Sequence, residues 1–130
     1  MKVVDDIFRN KDGKIMPYIK DVVRLEYVTI VRFKGDIDFH TIPYIDLKTR
    51  DLQNYLDRNI ILDFTDVTGV DSSTLASLVD LLNRLQKHNR KLGIINLTKD
   101  LKSYLKINKL GSLIKTYRSE RSALRDLNKK

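Results

Sequence analysis

The sequence has no cysteine and no tryptophan, and only two histidines, two prolines and five glycines among its 130 residues. Without cysteine there are no disulfides and no thiolate metal sites, which fits a reducing compartment. The histidines do not form a catalytic or metal-binding pattern. His88 sits in Lys87-His88-Asn89-Arg90 at an expected helix end, where a cation suits the dipole, and His40 lies in a turn. The sparse glycines form neither a Walker-A loop nor a Gly-x-Gly-x-x-Gly turn, so there is no phosphate-cradling loop. Asp63 and Asp66, lacking such glycines, read as strand-end solvation and not as a Mg²⁺ pair. Long apolar runs are missing too. Ile60-Ile61-Leu62 is of core-strand length, far below the ~20 residues that cross a bilayer. The start, Met1-Lys2-Val3-Val4-Asp5-Asp6, lacks the apolar stretch of a secretory signal. No enzyme class, cofactor or metal is expected.

What is present suits one soluble domain. The chain is 42% hydrophobic and 32% charged, enough apolar residues for a single core. The net charge is +8, and Leu97–Lys130 accounts for most of it, with ten basic and three acidic residues. Such a tail suggests an acidic partner or a membrane surface, or simply a solvated lysine-rich face. Without an arginine block or interleaved aromatics, direct nucleic-acid binding is not expected.

Periodicity predicts an α/β order. Residues 1–20 form an N-terminal extension, with a hairpin expected at Asn10-Lys11-Asp12-Gly13, and residues 21–130 form the domain. Val22–Phe33 is rich in β-branched and aromatic residues and changes phase near Tyr27-Val28, so a turn or bulge between two strands is expected there. Gly35-Asp36-Ile37-Asp38 ends that run. Thr41–Asp57 reads as a helix, with Thr41 as cap and Pro43 in the first turn. Asn59–Phe64 reads as a strand buried on both faces, followed by a loop to Asp71. A helix follows with Leu75, Leu78, Val79, Leu82 and Leu85 on one stripe. Lys91–Leu97 is the next strand, and Leu101–Ile107 the next helix. Leu113–Tyr117 is a last strand and Ser119–Leu127 a last helix. The alternation implies a mainly parallel sheet of four to five strands with right-handed crossovers, and about four helices packed mostly on one face.

The most informative stretch is Asp63-Phe64-Thr65-Asp66-Val67-Thr68-Gly69-Val70-Asp71-Ser72-Ser73-Thr74-Leu75-Ala76. A buried strand leads to Asp-Ser-Ser at a helix start, and a leucine-patterned helix follows. This resembles the STAS domain signature of anti-sigma-factor antagonists, and the resemblance extends over roughly Val22–Leu127. Gly35-Asp36-Ile37-Asp38 is similar to the family's Gly-Glu-Leu-Asp strand-end turn. Many antagonists carry glycine where this chain has Thr74 and Ala76.

The resemblance implies a cytoplasmic, non-catalytic partner switch, monomeric or weakly dimeric and not inserted in a membrane. Its partners would be an anti-sigma factor that doubles as a serine kinase, and a serine phosphatase. Ser72 would be the phosphoacceptor, with Ser73 as the alternate. Asp36, Asp38, Asp71, Ser72, Ser73 and Thr74 would form the partner interface. The family also implies two other settings, a subunit of a membrane lipid or anion transport system and a scaffold subunit of a stress-signalling assembly. Read physically, Asp71 and Ser72 suit a helix cap, and a phosphate at a helix N-terminus meets unpaired N–H groups and the positive dipole end.

Overall fold

The computed structural model describes residues 18–37, 58–70, 73–107 and 109–129. The expected hairpin at 10–13 and the expected helix at 41–57 lie outside these residues. Strands β1 (Ile19–Arg24), β2 (Val28–Ile37), β3 (Asn59–Val70), β4 (Leu92–Ile95) and β5 (Lys115–Tyr117) form one sheet in the order β1-β2-β3-β4-β5. Only β1 is antiparallel to its neighbour; β2 to β5 all run parallel. The phase change near Tyr27 is the β1–β2 turn, closed by a 2.8 Å bond from Leu25 N–H to the Val28 carbonyl.

Strand alternation separates the core into two layers. Ile60, Leu62 and Phe64 of β3 face one side with Val31, Phe33, Leu92 and Ile94. Ile61 faces the other, with Val23, Val28, Ile30 and Ile95. Helices α1 (Ser73–Lys87) and α2 (Lys99–Ile107) cover the first layer, and α3 (Glu120–Leu127) covers the second through Ala123 and Leu127. A short 3₁₀ turn, Lys109–Leu113, links α2 to β5. No helix among the described residues is long and apolar enough to cross a membrane.

The buried stripe of α1 is shifted from the expected one. Leu81, at 1% exposed, belongs to it with Leu78, Leu82 and Leu85, whereas Val79 is only partly buried. The helix stops where Asn89 takes up a left-handed backbone (φ 58°), and Arg90 N–H bonds back to the Leu85 carbonyl at 2.9 Å.

α3 has eight residues, and polar contacts at both ends fix it to the sheet. Ser119 caps it, accepting from Ser122 N–H at 3.2 Å. At the far end Asn128 Oδ1 accepts from Tyr27 N–H at 3.1 Å, and Asn59 Nδ2 donates to the Leu127 carbonyl at 2.8 Å. Tyr117 donates its hydroxyl to Asp126 at 2.9 Å; burial first, then that bond, pushes its pKa well above the ordinary tyrosine value.

Gly93 sets how closely α3 lies on β4. A Cβ there would stand 2.6 Å from Leu127 Cδ1 and 3.0 Å from the Tyr117 ring. Replacing Gly93 with Ala should therefore destabilise the fold by about 1–3 kcal/mol through overpacking, read as a lower urea midpoint at an unchanged slope.

Candidate functional site

The residues of the Asp-Ser-Ser motif follow the C-terminal end of β3. That strand does not stop at Phe64, as its sequence suggested, but runs on through Val70. Its continuation pairs with the end of β2: Lys34 lies opposite Asp66, Gly35 opposite Val67, Asp36 opposite Gly69 and Ile37 opposite Val70. Two stretches that read separately as turn and loop are thus partners of each other. The pairing accommodates register shifts between Arg32 and Lys34 and between Gly35 and Asp36. Gly35 makes the second shift with φ +77°, a backbone that side chains rarely adopt.

Asp36 is exposed, and its position is fixed. Its Oδ1 accepts from the Thr68 hydroxyl at 2.7 Å. A Cβ on Gly69 would come within 3.0 Å of the same oxygen, so the absence of a side chain there lets the carboxylate lie against the strand. Val70 ends β3 and Ser73 begins α1, a fifteen-residue helix with no acidic residue in its first turn. Asp38, Asp71 and Ser72 lie outside the described residues. Ser73 opens α1, and Ala76 is exposed one turn on.

Thr74, expected at the partner surface, is buried instead. It is 2% exposed and lines a small space of about 10 Å³ with Phe33, Ile37, Leu62, Phe64 and Leu78. That volume holds at most one water. The reason is helical spacing: Thr74 precedes Leu78, Leu81 and Leu85 by four, seven and eleven residues, so it shares their inward stripe. Its hydroxyl has no hydrogen-bond partner among the described protein groups.

The acidic residues of the motif also separate. Asp63 turns to the α3 side of the sheet, where it accepts from Thr65 N–H at 2.8 Å and stands 3.6 Å from Arg32 Nε. Arg32 also pairs with Asp21 at 2.7 Å and with Glu120 of α3. Burial would lower the Arg32 pKa, but its bonds to Asp21 and Glu120 outweigh burial and raise it. Asp66 accepts from Lys20 at 2.5 Å, and that bond raises the lysine pKa above its ordinary value. Neither Asp63 nor Asp66 is an uncommitted charge. Among the described residues no group of three or more acidic or histidine side chains could hold a metal ion.

A model of the STAS domain family matches residues 19–123. The chain belongs to the STAS domain family. Solved structures with the same fold include an anti-sigma factor antagonist from Mycobacterium paratuberculosis, 18% identical, with a TM-score of 0.71 over 83% of this chain and 92% of that one. An anti-sigma-factor antagonist (STAS) domain protein from Planctomyces limnophilus is 14% identical, with a TM-score of 0.67 over 85% and 98%. The Bacillus cell fate determinant SpoIIAA in its phosphorylated form is 16% identical, with a TM-score of 0.66 over 82% and 96%. At these identities the likeness is one of fold.

Two substitutions test the geometry of this STAS domain. Thr74→Val replaces a buried hydroxyl by a methyl of similar shape. It should be neutral or stabilising by up to about 1 kcal/mol in urea unfolding. Arg32→Leu strips Asp21 and Asp63 of their shared cation and should cost about 3 kcal/mol, seen as a markedly lower midpoint in the same experiment.

Proposed function

We propose that this STAS protein is a non-catalytic anti-sigma-factor antagonist. It binds an anti-sigma factor that is also a serine kinase, and phosphorylation of Ser72 ends that binding. A serine phosphatase restores the binding form. The observation that supports this reading most is the family match combined with the junction of β3 and α1. Val70 ends a long, paired strand and Ser73 begins a long helix, so only Asp71 and Ser72 join them. In sequence Ser72 is bordered by two regular elements, β3 and α1.

The electrostatics favour a switch that changes the surface and leaves the fold alone. The first turn of a helix offers backbone N–H groups without intrahelical acceptors, and the dipole there favours negative charge. The first turn of α1 contains no carboxylate to compete for those donors. A phosphate on Ser72 would add nearly two negative charges, which the helix start can tolerate, and would change the charge and shape that the partner meets. Exposed Asp36, fixed by Thr68, would sit on the binding surface with Asp38, Asp71, Ser72 and Ser73. Ser73 is the alternate acceptor. In this reading the protein acts in the cytoplasm as a monomer or weak dimer.

The test is an affinity capture from soluble and membrane fractions of the native cells, with mass spectrometry of the partners and of Ser72. A soluble ATP-binding kinase should be recovered by the protein and by Ser72→Ala. Ser72→Asp should weaken its binding by on the order of 100-fold. Recovery of membrane transport subunits alone, with Ser72 unmodified and Ser72→Asp without effect, would overturn the proposal.

A further inference from the structure

A second surface lies at the corner formed by α2, the 3₁₀ turn and β5. Among the described residues the exposed large hydrophobic side chains are Tyr104, Ile107 and Leu113, all within this corner. Ile107, the last residue of α2, is 85% exposed, and Leu113, ending the 3₁₀ turn, is 50% exposed. Isolated surface hydrophobes are ordinary, but this group coincides with strongly one-sided charge. Lys99, Lys102, Lys106, Lys109, Lys115 and Arg118 fall in the same twenty residues, with Asp100 as the sole acid.

Some cations of the fold are tied to carboxylates, whereas those of this corner are not, among the described residues. Lys20, Arg32 and Arg84 are each paired with a carboxylate. The five lysines and Arg118 make no ion pair with any described residue. Lys102 and Lys106 instead flank an open groove of about 320 Å³ whose other walls are Leu105, Ser112, Ile114 and Thr116. The surface therefore presents unpaired ammonium groups beside protruding aliphatic side chains, with two hydroxyls in the groove.

We infer that this corner is a peripheral docking surface for an anionic lipid bilayer. Charge complementarity selects an anionic occupant. The shape selects a deformable one, because Ile107 and Leu113 stand out from the domain instead of lining a socket. Lysines that reach headgroup phosphates while neighbouring aliphatic side chains enter the boundary below are the arrangement of interfacial anchors. No segment spans the bilayer in this mode. The inference is independent of the phosphorylation switch, since it uses neither Ser72 nor its neighbours.

The test uses the full chain with vesicles of phosphatidylcholine alone or with about 30% phosphatidylglycerol. The chain has no tryptophan, so Ile107→Trp gives a clean reporter. Its emission should shift to the blue on adding anionic vesicles and stay unchanged with neutral ones. In co-sedimentation the unaltered protein should bind anionic vesicles. Lys102→Glu with Lys106→Glu should weaken that binding on the order of tenfold or more, as should added salt. Ile107→Ser should weaken it several-fold, while Lys87→Glu with Lys91→Glu should change it little. Circular dichroism of each variant checks that the fold is retained. Absence of binding to anionic vesicles at low salt would overturn the inference. So would equal losses from the Lys87/Lys91 pair, which would mean that net charge alone is responsible. Capture of an acidic protein through Lys102 and Lys106 without vesicle binding would likewise overturn it.

Discussion

The parallel pairing of β2 with β3 is the constraint from which the rest of the structure follows. It begins with Val28 opposite Asn59 and ends with Ile37 opposite Val70, crossing two register shifts on the way. Because Ile60–Phe64 of β3 is buried on both faces, each of these residues has an assigned layer, and slipping by one position would exchange Ile60, Leu62 and Phe64 with Ile61 and Asp63. The same pairing brings Phe33 and Phe64 edge to face, with ring centroids 5.6 Å apart, beneath the first turns of α1. The place where α1 starts is set by where β3 ends, and where β3 ends is set by how far β2 accompanies it.

Much of this was legible from the residues. Ile60-Ile61-Leu62 and Leu92-Gly93-Ile94-Ile95 read as buried strands, and the leucine spacing of α1 reads as a helix face. The extension of β3 through Val70 was not legible. Thr65-Asp66-Val67-Thr68-Gly69 is polar and glycine-containing, and its strand character comes from a partner more than thirty residues away. Gly35-Asp36-Ile37 looked like an ending for the same reason. Each segment has weak local preference, and the pairing supplies what propensity lacks.

Thr74 is a different kind of miss, because the signal was present. Its place in a Ser-Ser-Thr string suggested surface chemistry. Its distance from Leu78, Leu81 and Leu85 marked it as a core position. When a motif and a periodicity disagree about one side chain, the periodicity carries the stronger physical constraint. A helix cannot turn one residue outward without rotating its whole stripe.

The polar cluster on the α3 side shows what the sheet does where apolar packing ends. Asp21, Arg32 and Asp63 are direct cross-strand neighbours on β1, β2 and β3, in line with Val23, Ile30 and Ile61 on the same face. Alternating charges across three strands match in only one register, since shifting any strand by two residues would set a charge against an apolar neighbour. Glu120 extends the cluster to α3, so one guanidinium ties three strands and a helix together. Charges this enclosed contribute little net stability, because desolvation offsets most of their attraction. Their effect is on alignment: they position the short α3 over β4, where Gly93 leaves room for Leu127, and they commit Asp63 to the interior, away from the end of β3.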